Sequence, residues 1–348
     1  MWSDTTRNGP QLCTNRSHMA KKAKIAQNVF FLLGALALGF MIYKTGIDNI
    51  LHDIRQTGWW FILIIGLWVP VYLLNTYSFY IILQDGSEET KNIGFLRLFK
   101  LVISGFAINY ITPFGLMGGE PYKIIELQST LGIQRATSSV LLSTMMHFVS
   151  HFIFWMVSIP LLLFLVPVLS DVVELGMILS TATSFFLLFW AYRVYTRGGV
   201  DRAMMLGGRL PFIGKSLRAY RRNNQEKIDQ MDSLIADLYR NRKKDFILSL
   251  SLEIFTRFFL CLEVILMMQA VGHPITFGQS VLIESIQSLI GNILFFMPMQ
   301  MGSREGGIVI VFGILSLPLS YGVFVSLCKR IREIFWTLVG ILLIKVKK

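Results

Sequence analysis

The chain has 348 residues, 53% of them hydrophobic and 16% charged, with a mean hydropathy of +0.57. Long apolar runs with so few charges exclude an ordinary soluble domain and place the chain among polytopic membrane proteins. The net charge of +12 does not call for nucleic acid, because the basic residues crowd into loops of the kind that membrane topology keeps cytoplasmic.

The chain opens with a polar, basic tail, residues 1–24, carrying Arg7, Arg16, Lys21, Lys22 and Lys24. Met19-Ala20-Lys21-Lys22 reads as an alternative start, so residues 1–18 are set aside as a disordered extension. A bilayer core of about 30 Å needs about 20 apolar residues per helix. The expected spans are 25–43, 59–83, 97–112, 137–167, 173–195, 246–271, 278–297 and 322–344. The run 25–43 is too long for a signal-peptide core and reads as an uncleaved first helix. Cys13, Cys261 and Cys328 are odd in number and far apart, which predicts free thiols.

Thirteen Lys and Arg residues lie between Arg193 and Lys244, which makes that loop cytoplasmic. The loops 168–172 and 272–276 hold none and go outside. With the basic N-terminus and Lys345, Lys347 and Lys348 inside, eight crossings satisfy these constraints. Residues 196–245 form a basic connector in which Ile228, Met231, Leu234, Ile235 and Leu238 recur at helical spacing. Two readings are open for this helix: packed under the bundle, or lying on anionic lipid through Arg218, Arg221 and Arg222.

Two stretches cannot continue as bilayer helices. Thr112 to Pro121 and Met297 to Gly306 each combine prolines, glycines and a carboxylate. Pro removes a backbone donor and clashes with the preceding turn. Broken backbone at membrane depth survives only inside protein or beside a wet cavity. In both stretches the glutamate falls seven residues after the first proline, Pro113 to Glu120 and Pro298 to Glu305. Paired breaks in corresponding positions point to a transporter's binding site. The expected fold is therefore all-α, with about eight transmembrane helices in a 4+4 inverted-topology repeat and two Pro/Gly-broken re-entrant hairpins. Residues 25–167 form the first repeat, with re-entrant 113–130. Residues 168–195 and 246–348 form the second, with re-entrant 298–317.

At the first break Gly118 and Gly119 free the backbone, and Pro121 suits the first turn of a new helix. At the second, Gly302 precedes Ser303, a good N-cap for a helix starting at Arg304. Helix starts attract anions, and Lys123 and Arg304 add full positive charge. Glu120 and Glu305 have two compatible readings: carboxylates satisfied at a helix start, or groups that hold a cationic headgroup or a proton. Asn109 and Asn292 stand just before the two breaks; with Glu284 and Gln287 they are expected in the same cavity. Lys329-Arg330-Ile331-Arg332-Glu333 falls inside the last span and is expected to be buried, Arg330 and Arg332 being suited to phosphate. The other arrangement makes 306–328 the full span and 334–344 a tail. Glu253 and Arg257 are spaced for an i, i+4 ion pair. His147 and His151 share one face, and no third ligand is fixed by spacing, so no metal is expected. No phosphate-binding loop or nucleophile elbow is present, and no cofactor is implied.

The two break motifs, with the segment Arg330 to Gly340, resemble the flippase-like membrane domain of the lysylphosphatidylglycerol synthases. The resemblance covers nearly all of residues 25–348. It implies movement of a lipid between leaflets of a bacterial inner membrane, through a cavity between inverted repeats. In full-length synthases a soluble aminoacyl-transferase domain follows the membrane part. This sequence ends at Lys348, so the resemblance implies a stand-alone member without that activity, and no enzyme. The partner expected is a membrane lipid. A homo-oligomer or an envelope biosynthesis enzyme stays open as a further partner. The alternatives are an integral membrane enzyme that modifies a lipid and a non-catalytic partner acting through the connector.

Overall fold

The structure, a computed structural model, describes residues 55, 57–84, 86–112, 118–166, 171–197, 199–207, 214–294 and 303–345. The tail 1–24, the expected span 25–43, Pro113, Pro298, Gly302 and the side chain of Ser303 lie outside the described residues.

Every described element is helical. In chain order these are α1 (Trp60–Gly66), α2 (Trp68–Leu83), the single turn α3 (Glu88–Lys91), α4 (Phe95–Ile111), α5 (Gly119–Leu165) and α6 (Asp171–Arg197). The connector supplies α7 (Val200–Gly207), α8 (Gly214–Asn223) and α9 (Gln225–Arg240). Then come α10 (Lys243–Ala270), α11 (Phe277–Ile293), α12 (Ser303–Ile314) and α13 (Leu319–Lys345). The expected boundaries hold to within a few residues. The expected fourth span differs: it is continuous with the helix before it, the two meeting at Gly132 (φ 74°, ψ 164°). That conformation is open essentially to glycine alone, and it divides a short segment, 119–131, from a long one, 133–165.

By length and apolarity, Trp60–Leu83 and Gly119–Leu165 can cross a membrane. Two other long helices carry charges in mid-length: Glu253, Arg257 and Glu263 in α10, and Lys329 to Glu333 in α13. Those charges point inward. Lys329, Arg330, Arg332 and Glu333 are all 5% exposed or less. The alternative of a short tail at 334–344 is thereby set aside, because one helix runs unbroken from Leu319 to Lys345. The outer surface is apolar instead, with Phe164, Ile178, Phe185, Phe186 and Ile247 among the exposed side chains.

Local chemistry fixes where helices stop and how closely they approach. The last carbonyls of α2 lack intrahelical donors. Arg242 supplies them, its guanidinium donating to Ile81 O at 2.7 Å, Ile82 O at 3.1 Å and Gln84 O at 2.7 Å. Thr276 and Gln279 cap α11 reciprocally. Helices α4 and α13 cross at Gly340, where a Cβ would meet Ala107 Cβ at 2.5 Å and Ile103 O at 2.7 Å. Ser104 Oγ donates to Gly340 O at 3.1 Å across that contact.

In the connector, Ile228, Met231, Ile235 and Leu238 are buried, as the helical spacing predicts. Ile235 and Leu238 join Ile82, Leu142, Met146 and Val149 in one cluster. This face packs on the bundle, which is the first of the two readings left open for it.

Candidate functional site

Helices α2, α4, α5, α10, α11, α12 and α13 surround a cavity of about 320 Å³. Each helix contributes a face at helical spacing. In α2 that face is Trp68, Tyr72, Asn75 and Phe79; in α5 it is Thr144, His147 and His151. The helices that start after the two Pro/Gly stretches, α5 and α12, bring Glu120, Lys123 and Arg304 to its wall.

At the start of α5 the backbone N–H of Gly119 donates to Asn109 Oδ1 at 2.7 Å. Asn109 Nδ2 then donates to Glu120 Oε1 at 3.2 Å. Lys123 Nζ stands 3.7 Å from the same oxygen. Asn109, at the end of α4, thus ties the start of α5 to α4 across the residues between them. Asn292 occupies the corresponding place at the end of α11, but its side chain turns back to Ser288 O at 2.7 Å.

Segment 329–333 of α13 is the hub of the opposite wall. Lys329 Nζ donates to Gln287 Oε1 at 2.6 Å and pairs with Glu284. Arg332 takes Glu263 in both hands, Nε to Oε1 at 2.7 Å and Nη2 to Oε2 at 3.2 Å. Trp68 Nε1 donates to Glu263 Oε1 at 3.1 Å, and the Arg332 guanidinium lies 3.9 Å over the Trp68 ring. Arg304, reaching in from α12, pairs with Glu333.

The expected i, i+4 pair of Glu253 and Arg257 is corrected by the structure, which places His147 between them. His147 Nδ1 lies 3.0 Å from Glu253 Oε2, and Arg257 Nη2 lies 2.7 Å from His147 Nε2. With the proton on Nδ1, the ring donates to Glu253 and accepts from Arg257. Among the described residues no group of three His, Cys, Asp or Glu stands ready for a metal.

Of the eight expected substrate residues, Asn109, Glu120, Lys123, Asn292, Arg304 and Arg332 line the cavity. Glu305 and Arg330 do not line it, because they are turned to one another: Arg330 Nε donates to Glu305 Oε1 at 3.0 Å, and Arg330 Nη1 donates to Tyr110. The two break glutamates are therefore unequal partners. Sequence reasoning missed Trp68, Tyr72 and Asn75. The signal was there, as a polar and aromatic stripe of spacing four then three in an otherwise apolar span.

Five carboxylates line the cavity (Glu120, Glu253, Glu263, Glu284 and Glu333), and so do five cations (Lys123, Arg257, Arg304, Lys329 and Arg332). Ion pairs inside and aliphatic and aromatic side chains outside define a helical integral membrane protein with a polar, charge-balanced core. The chain belongs to the family described as "Lysylphosphatidylglycerol synthase TM region", whose model matches residues 28–340. Membership makes it a membrane protein related to lipid synthesis or translocation. No curated protein and no solved structure matches the chain.

Proposed function

We propose that this protein translocates a lipid with a phosphate headgroup between the leaflets of a bacterial inner membrane, without chemical conversion of the lipid. The observation that carries the reading is the cavity itself, whose wall combines α2, α4 and α5 with α10 to α13. Lys123 and Arg304 are the cations best placed for the phosphate. Their side chains are 17% and 33% exposed, whereas Arg332 at 4% and Lys329 at 6% are closed in by their carboxylates. Arg332 and Arg330 are thus assigned to holding the wall, and Arg304 to exchanging Glu333 for a headgroup.

The reading includes a 4+4 inverted repeat of eight crossings with both termini cytoplasmic. Three features support it. The segment 119–131 and the 12-residue α12 each rise about 18–20 Å, too short to span a core of about 30 Å. The order of elements matches: α2, α4, 119–131 and 133–165 correspond to α10, α11, α12 and α13. Helix contacts obey the same exchange, since α2 packs on α10, while α4 on α13 corresponds to α11 on α5. Motion of one repeat against the other would open the cavity to each side in turn.

The inward turn of the α9 apolar face gives no support to a docking role for the connector. The test is transport of chain-labelled phosphatidylglycerol in proteoliposomes. Arg304→Ala and Glu120→Gln are expected to slow headgroup movement about 10–100-fold, the worth of a charged hydrogen bond. Unaltered rates in both folded variants would overturn the assignment.

A further inference from the structure

Lys123 reaches the cavity across a notch in α4. Gly105 is buried in the middle of that helix, and the Lys123 side chain lies over it. Outside its own helix, a Cβ at Gly105 would have its three nearest atoms in that side chain, Cε at 2.6 Å and Cδ and Cγ at 3.6 Å. The two helices meet there reciprocally. Gly105 and Asn109 share one face of α4, and Gly119 and Lys123 share one face of α5, each pair being spaced i, i+4. Asn109 takes the Gly119 N–H, and Lys123 covers Gly105.

The two glycines meet different demands. A Cβ at Gly119 would stand 2.3 Å from Gly105 O, main chain that yields only if a helix moves. At Gly105 the obstacle is the far end of a flexible side chain, so a methyl there displaces Lys123 and leaves the α4–α5 contact alone. The backbone of Gly105 does not itself call for glycine, since its φ is not positive and glycine weakens a helix interior relative to alanine. What the missing Cβ leaves is room, and the Lys123 stem fills it. A lysine stem is flexible and sets no direction of its own. Here the bare surface that it crosses sets the direction. The stem ends at the cavity wall with Nζ 3.7 Å from Glu120 Oε1.

We propose that Gly105 is a positioning residue for Lys123: the notch it leaves in α4 aims the Lys123 ammonium at the cavity and at Glu120. A side chain at position 105 lifts the stem off α4 and takes the cation away from both. The use of that cation in transport rests on the translocator reading; its aim does not. On that reading Gly105→Ala slows transport of chain-labelled phosphatidylglycerol about tenfold, as Lys123→Ala does, the worth of about one charged hydrogen bond.

Two readouts separate the aim of Lys123 from its use. The first is zero-length cross-linking of the purified full-length protein with a membrane-soluble carbodiimide. It joins Lys123 to Glu120 as an amide with loss of one water, read as the mass of the peptide that carries both. The wild type should give the amide and Gly105→Ala should not; equal yields would overturn the proposal. The second is a double-mutant cycle on transport in proteoliposomes. Gly105→Ala should add nothing in a Lys123→Ala background, where no stem is left to displace. Further slowing there would show that Gly105 serves helix packing, and would overturn the proposal. Should Gly105→Ala melt early, adding Lys123→Ala should restore the melting temperature, and a double variant that stays unstable also overturns it. Loss of the cross-link with transport unchanged in both single variants supports the positioning role and removes the phosphate role assigned to Lys123.

Discussion

Arg332 and Glu263, 3% and 1% exposed, hold one another by two hydrogen bonds in the cavity wall. Breaking one half of such a pair leaves an uncompensated buried charge and costs about 3–5 kcal/mol, whereas replacing both halves by apolar residues is often near neutral. Glu263→Gln should therefore lower the melting temperature of the purified protein strongly, and the double change Arg332→Met with Glu263→Leu should recover most of it. A double variant as damaged as the single one would show that the pair is not the unit. Gly340 is judged by space alone. A methyl there would sit 2.5 Å from Ala107 Cβ, so Gly340→Ala must push α4 and α13 apart at about 1–3 kcal/mol. Thermal unfolding checks it, and an unchanged midpoint would mean that the crossing is looser than drawn.

At the scale of elements, Gly132 decides where the half-helix of α5 ends. No neighbour fills the space beside it, so Gly132→Ala tests the backbone conformation alone, at about 1–3 kcal/mol. The connector offers a test by pH. Arg221 Nε and Nη2 donate to Asp201 at 2.6 and 2.8 Å. That bonding holds the Asp201 carboxyl below its ordinary value. A depressed folded pKa gives stability that is present above the unfolded value, about 4, and lost as pH falls through the folded one. At pH 7 Asp201→Asn should make the connector more open to limited proteolysis, and the difference from wild type should vanish only below about pH 4. A difference that disappears between pH 5 and 7 would assign the effect elsewhere.

The helix ends that flank the two Pro/Gly stretches, the order of the described helices and the inward charges were legible in the sequence, because Pro, Gly and ionisable residues are conspicuous against an apolar background. What could not be read was pairing. Glu253 and Arg257 stand i, i+4, yet His147 from α5 takes the place between them, a consequence of how α5 and α10 pack. Glu120 and Glu305 look equivalent by spacing, yet only Glu120 reaches the cavity, because Arg330 pairs with Glu305. Such choices belong to tertiary contacts with no counterpart in local pattern.

For the whole molecule, the translocator reading takes the charge-balanced core under an apolar coat as a space that is wetted and entered. Balanced pairs avoid a net charge in the membrane, and the more exposed Arg304 and Lys123 leave a place where a phosphate could substitute for a carboxylate. On that reading α13 would hold its wall fixed while the helices after the breaks, α5 and α12, would carry the exchangeable groups.

The most direct measurement is thiol labelling of Ser143→Cys, whose side chain lines the cavity, in a protein with Cys13, Cys261 and Cys328 replaced by Ala, with a membrane-impermeant maleimide applied to either face of sealed proteoliposomes. The account predicts modification from both faces, slowed when phosphatidylglycerol is added to the bilayer. No modification from either face of a protein that still folds would contradict it.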